Sequence, residues 1–390
     1  MRVCSNRLAT GFALFLIGAC VQQGVPFQPD DPKPPANFDP ELLTGRLMFG
    51  EPVAGDEVGD VDALGLDDTM RAFVDVEAMS GLSAAKRLQW LIKRLEEEGH
   101  FADSYNPLAT LTARETFRSK DGNCLSYTTL FIALARASGL HTYYQMVTLP
   151  PNWSADSGLL IRNNHVNAVV YERHIVEGFT REYIVDFNAL EIGSDLERHR
   201  VSDNYATTLY YSNLAVEHMR HDRSREAFAL LRKGIELVPG NADLWVNLAA
   251  FYARNDKLEA AVSAYQVVLQ LDPTSKTALS GMSSIYAAMG DAVRAERYAR
   301  QVREYRKRNP FYHFALAQLK FENANYAASL AAVNRAIELK RRNPSFYQLK
   351  GQAEQKLGDA AAAARSFSRA RRYERLAGLT PTHQPRRALR

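Results

Sequence analysis

Cysteine is scarce in this chain. Its 390 residues include three, Cys4, Cys20 and Cys124. That count excludes a disulfide-stapled architecture and zinc ligation of the cysteine-rich kind. Long apolar runs are scarce too. Apart from one short stretch near the N-terminus, nothing approaches the length that spans a bilayer. The spacings of an HExxH helix, a Walker loop and an EF-hand are missing, so the sequence predicts no metal, no nucleotide and no other cofactor. Net charge of one sign is nearly absent, at +4, and favours no class of partner by itself. The length leaves room for two or three domains and a sizeable core.

The distribution of charge says more than its sum. Residues 30–80 hold 13 Asp and Glu against 3 Lys and Arg, whereas residues 301–390 hold 19 Lys and Arg against 6 Asp and Glu. The simplest reading of both is solvated surface. The sharper alternative is a basic C-terminal face that meets an acidic partner or the chain's own acidic segment.

The N-terminus carries Arg2 and Arg7, then the apolar run "LATGFALFLIGA", then Cys20. A basic start, a short apolar stretch and a small-residue cleavage site make a secretory signal. The ending "LIGAC" resembles the lipobox of bacterial lipoproteins. That resemblance implies a signal peptide over 1–19 and a lipidated Cys20 as the first mature residue, so the membrane is reached through an acyl anchor. Val21 in place of aspartate implies forwarding to the outer membrane, facing the periplasm. Plain secretion with Cys20 left free is the alternative. Export argues against nucleic acid as a partner, despite the basic tail "HQPRRALR" at the end of 379–390. With Cys4 cleaved off and Cys20 acylated, Cys124 is the one thiol left, with no disulfide partner.

Six prolines between residues 21 and 40 and little apolar periodicity make 20–40 a tether. Residues 41–205 read as one domain. A short helix is expected around "TMRAFVDVEAM", a stronger one at 83–98 with Leu88, Leu91, Ile92 and Leu95 on one face, and another around "ATLTARETFRSK". "HTYYQMVTL", "HVNAVVYE" and "REYIVDFN" are β-branched, aromatic and partly alternating, hence strands; 150–164 reads as a loop. Helices first and strands after predict an α+β domain with an antiparallel sheet.

From about 206 to 378 the chain is helical and repetitive, with a period of about 34 residues. Trp245, Leu248, Ala249, Tyr252, Ala261, Tyr265, Val268 and Pro273 form the fullest unit. Tyr211, Leu214, Ala215 and Ala227 precede it; Leu279, Met282, Tyr286, Ala295 and Ala299 follow. A weaker fourth unit has Leu316, Ala317, Ser329 and Ala336, and a fifth has Tyr347, Gly351, Ala363, Phe367 and Ala370. This skeleton is that of tetratricopeptide (TPR) repeats, and it predicts an all-α solenoid of about five repeats. Its surface would hold a protein or peptide partner.

The stretch "DGNCLSYTTLFIALARASGL" places Cys124 behind a polar turn and at the head of a helix apolar nearly all round, hence buried. Asp121 and Asn123 are N-cap types, and Gly139 ends the run. Free amides and the dipole at a helix start favour a thiolate there. A nucleophilic thiolate needs a base, and the base an orienting acid. His165 begins one predicted strand and Asp186 lies in another. A hairpin turn near 176–177 gives antiparallel partners whose numbers sum to about 353, so His165 and Asp186, summing to 351, fall near each other. His141 and His174 read as surface or loop residues.

"GNC" opening a buried helix, then "HVNAVV", then "YIVDF" resembles the core of the transglutaminase-like superfamily over about residues 83–190. The resemblance implies a papain/transglutaminase-like fold with Cys124 as nucleophile, His165 as base and Asp186 as orienting acid. An upstream aromatic or amide side chain helps hold the oxyanion in many members. Trp90 and Gln145 are weak candidates for that role, and the Cys124 amide is the safer one. The chain is thus expected to be a lipid-anchored cysteine enzyme of acyl transfer on amides, protease, amidase or transamidase, with a TPR docking array. The competing expectation is a catalytically retired scaffold.

Overall fold

A computed structural model describes residues 15–22, 31–77, 79–100, 106–147, 153–156, 159–162, 165–174, 179–187 and 198–379. Strand β1 (Phe15–Gln22) comes first. Four short helices follow: α1 (Arg46–Phe49), α2 (Asp68–Phe73), α3 (Ala84–Glu97) and α4 (Ala113–Ser119). Then come α5 (Cys124–Ala137), β2 (His141–Val147), β3 (Trp153–Asp156), β4 (Leu159–Arg162), β5 (His165–His174), β6 (Phe179–Asp186) and β7 (Arg198–Val201). Five strands form one antiparallel sheet in the order β1-β6-β5-β2-β7, and β3 with β4 forms a separate hairpin.

α5 is the spine of this domain. Every side chain from Leu125 to Ala135 is buried. The helix packs against Val166, Ala168 and Val170 of β5, Val185 of β6 and the apolar face of α3 in one continuous core. The α3 boundaries and its buried Leu88, Leu91, Ile92 and Leu95 match the face expected from its periodicity. Trp90, on the same helix, packs at the edge of this core beneath Arg94.

Ten helices follow, paired in five repeats: α6 (Asp203–Arg220) with α7 (Ser224–Leu237), α8 (Ala242–Arg254) with α9 (Leu258–Leu271), α10 (Lys276–Ala288) with α11 (Ala292–Arg308), α12 (Pro310–Glu322) with α13 (Tyr326–Leu339), and α14 (Pro344–Lys356) with α15 (Ala360–Leu379). Small residues let paired helices approach. Ala227, Ala261 and Ala336 are fully buried, and Ser329 Oγ, also buried, donates to the Ala317 carbonyl at 2.8 Å. The array is an all-α solenoid, but its interior is divided. One core runs through the first three repeats to Tyr286 and Tyr298, and another links Phe311, Ala317, Val333, Ala336 and Phe346. The division falls where α11 packs on α10 and hardly touches α12. The first helix, α6, serves two cores at once: Tyr210 is buried in the α5 core and its neighbour Tyr211 in the solenoid core.

Three placements differ from expectation. Residues 150–164, expected as a loop, include the β3–β4 hairpin; runs of four residues among Ser, Asp and Gly are too short to show alternation. Phe15–Gln22, whose first five residues belong to the stretch expected to be removed as a signal, pairs with β6 as an edge strand. An apolar β-branched segment beside an open sheet edge satisfies backbone groups the edge would otherwise expose. The acidic segment is a strap, not free surface. Residues 31–61, expected as tether and then cysteine domain, lie along the first two repeats. Phe38 meets Trp245 edge-on at 5.0 Å, the Tyr252 hydroxyl donates to the Leu42 carbonyl at 2.8 Å, and Leu42 and Val53 join the solenoid core. Arg225 pairs with Glu51 and Glu57, Lys233 with Asp60, and Arg232 donates to the Val53 and Ala54 carbonyls at 2.6 Å each. Among the described residues the acidic run therefore meets basic residues of α7 and, through Asp62 and Asp67, Arg114 and Arg118 of α4, with no ion pair to 301–379.

Among the described residues no helix is long and apolar enough to cross a membrane.

Candidate active site

The local chain before Cys124 is built to fix one helix start. Thr112 and Glu115 close a capping box on α4, and Lys120 ends that helix in the left-handed region. At Gly122 (φ +150) a Cβ would stand 2.6 Å from Ser126 Cβ, so only glycine fits. Asn123 then caps α5. Its Oδ1 accepts from the Ser126 amide at 3.0 Å and the Ser126 hydroxyl at 3.1 Å, and its Nδ2 donates to Thr110 Oγ1 at 2.8 Å. Ser126 Oγ is held in turn by the Leu111 amide at 2.8 Å. Thr110 Oγ1 also accepts from Asn213 of α6 at 3.1 Å, which ties the cap to the first TPR helix. Cys124 is the first residue of α5 and is only partly buried, unlike the eleven residues after it.

The sheet brings the other two predicted residues together. β5 and β6 pair Ala168 with Val185, which is the expected sum of 353. One diagonal step away, His165 Nε2 lies 2.8 Å from Asp186 Oδ2, and each residue is 1% exposed. Nε2 faces the carboxylate, so Nδ1 is the nitrogen left for another partner. Cys124 is that neighbour. Burial disfavours the imidazolium, but the Asp186 bond and the adjacent Cys124 outweigh it and push His165 up to about 9. Nδ1 itself makes no hydrogen bond here, so sulfur and ring are neighbours short of a formed bond.

Sequence reasoning passed over Asn167, two residues beyond His165. Its Nδ2 reaches Asp186 Oδ2 at 3.5 Å, and its Oδ1 is buried without a partner. Alternation was the available signal, since residues two apart share a strand face. Gln145 stands opposite Asn167 in the β2–β5 ladder, 8% exposed, with its Oε1 likewise unpartnered. His141 is exposed and stacks on Tyr171 at 5.2 Å, and His174 closes β5. A cleft of about 500 Å³ lined by Phe73, Arg94, His100 and Phe117 lies on α2–α4 and includes none of Cys124, His165 or Asp186. Burial and nearby Lys120 lower His100 to about 4.

The arrangement sets the Cys124 sulfur beside an imidazole whose far nitrogen is anchored by the buried Asp186 side chain, a nucleophile next to a proton carrier. The transglutaminase-like superfamily matches residues 74–175, a span that contains Cys124 and His165 and stops short of Asp186. Tetratricopeptide repeats match residues 212–276. The chain is a transglutaminase-like domain fused to a TPR array.

Among known proteins, the tetratricopeptide repeat domain-containing protein PYG7, chloroplastic, of Arabidopsis thaliana is 32% identical over 68 residues, 17% of this chain. The match spans about a quarter (23%) of that relative's length. A crystal structure of MamA protein is 17% identical and covers 47% of this chain and 97% of its own, with a TM-score of 0.25. MamA from Desulfovibrio magneticus RS-1 is 16% identical and covers 45% and 97%, again with a TM-score of 0.25.

Proposed function

We propose that this protein is an exported, lipid-anchored cysteine enzyme of acyl transfer on amide bonds, with the TPR array as its docking surface for a protein or peptide. The observation that carries the reading is the position of His165, bonded to Asp186 through Nε2 and next to Cys124 at the head of α5. The Cys124 thiolate attacks the amide carbonyl carbon, and first-turn amides of α5, which lack partners within the helix, stabilise the oxyanion. The C–N bond breaks as His165 gives its Nδ1 proton to the leaving nitrogen, leaving a thioester. Water then attacks the thioester, His165 takes its proton, and the C–S bond breaks to release the acid and the thiolate. An amine in place of water gives transamidation; a site working in abundant water favours hydrolysis.

A second reading, a non-catalytic scaffold, is favoured by the unformed Nδ1 bond. A thiol-reactive amide- or ester-mimicking probe separates the two. Labelling of Cys124 in the folded protein, abolished in His165→Ala, supports the enzyme; equal labelling of both proteins supports the scaffold.

The lipid anchor rests on "LIGAC" and Cys20. Cys20→Ser is expected to move the protein out of the membrane fraction, and unchanged fractionation would remove this part of the reading.

A further inference from the structure

The strap on α7 shows what the second helix of a repeat can bind. Arg232, 6% exposed, donates to two strap carbonyls, while Arg225 and Lys233 hold strap carboxylates. Two repeats further on, α11 occupies the same place in its own repeat. Ala295 follows Ala227 by 68 residues, and Arg300 follows Arg232 by the same 68. Yet α11 is uncovered: Val302 is its one buried residue, and Val293 is 82% exposed. Its side towards the next repeat is open as well, because α12 hardly touches it.

α11 carries seven Arg and Lys against two Glu. Asp291, Glu296 and Glu304 answer Arg294, Arg303 and Lys307. Arg297 and Arg300 are exposed and form no ion pair among the described residues. The arginines at 294, 297, 300 and 303 step around the helix by about 60° each, so they trace a path across it. A flat bilayer would meet one side of such a helix, whereas an extended chain crossing it meets them all.

We infer that α11 is a docking site for an extended acidic segment of a partner protein: Arg300 takes backbone carbonyls as Arg232 does on α7, while the carboxylates fall to Arg297 and Arg303 one turn either side, because the positions that match Arg225 and Lys233 are Val293 and Gln301. The inference deepens the reading of the array as a docking surface and is independent of the chemistry at Cys124.

The test uses the full chain and a fluorescent peptide of its own residues 50–62, the acidic part of the strap, followed by anisotropy. Saturable binding is expected, weakened tenfold or more by Arg297→Glu with Arg300→Glu and unchanged by Arg341→Glu with Arg342→Glu. Four results would overturn it. They are no saturable binding, undiminished binding in the 297/300 variant (exchange at α7), equal loss in the 341/342 variant (diffuse charge), and phosphatidylglycerol vesicles held through Arg297 and Arg300 where the peptide is not. Probe labelling of Cys124 in the 297/300 variant reports separately on the enzyme reading.

Discussion

His165 and Asp186 meet at 2.8 Å although they are not ladder partners; the pairing that joins them is diagonal, offset by two residues across β5 and β6. Asp186 therefore sets both the tautomer and the tilt of the ring. Asp186→Asn keeps the shape but can donate to Nε2, and so favours the tautomer with its proton on the wrong nitrogen. Acylation of Cys124 by an amide-mimicking probe is expected to slow by about two to four orders of magnitude. Stopped-flow or mass-resolved labelling measures this, and a loss under threefold would remove Asp186 from the mechanism.

Raising His165 to about 9 has a sign for stability. A folded value above the ordinary 6.5 means that the imidazolium's contribution is complete below pH 6.5 and disappears as pH climbs through about 9. Urea midpoints of the native protein should fall over that interval, and those of His165→Ala should fall less. Acylation by an amide should decline over the same alkaline range, because the leaving nitrogen then finds no proton. Alkylation by iodoacetamide, which needs no such proton, should not decline.

Asn123 holds the helix start by three hydrogen bonds, from Ser126 twice and to Thr110. Asn123→Ala is expected to cost about 1–2 kcal/mol of stability and to slow Cys124 labelling, because the thiol sits one residue further on. Asn123→Asp restores the acceptor at the cap but not the donor to Thr110, and should recover most of the stability. A variant as stable as the parent would show that the cap is not what fixes the site.

Arg232 is buried and donates to both strap carbonyls, those of Val53 and Ala54. Removing it as Arg232→Ala strands two acceptors, a cost of about 2–3 kcal/mol, and should expose residues 50–60 to limited proteolysis. The flanking pairs to Glu51 and Glu57 are partly exposed, so raising the salt concentration alone should do much less. Proteolysis rates of the two proteins, compared at low and high salt, check both statements.

Much of this molecule is written in local patterns. α5 is legible because an apolar run without a polar face can only be buried, and because Gly122 and Asn123 mark its start. The β5–β6 register is legible because antiparallel pairing is arithmetic once a turn is located. The repeats are legible because Ala227, Ala261 and Ala295 recur at a fixed interval. The strap is not, because its attachment runs through backbone carbonyls to Arg232 and through single anchors such as Phe38 and Leu42, which leave no periodic trace. Charge totals favoured solvated surface and, as the alternative, pointed the acidic run to 301–390, because a total does not say which basic helix lies nearby; the contacts fall on α7. Asn167 was hidden for another reason: a lone amide in a strand acquires meaning only when a neighbouring strand brings Asp186 beside it.

Tyr210 and Tyr211 are consecutive residues whose rings are buried in different cores. A cut at 205/206 would strip the sheet domain of one ring and leave a raw hole beneath α5, while the severed solenoid would display that same ring to water. The two halves should consequently melt in a single calorimetric transition, and anything that tugs on the first repeat is mechanically geared to the helix that bears the sulfur.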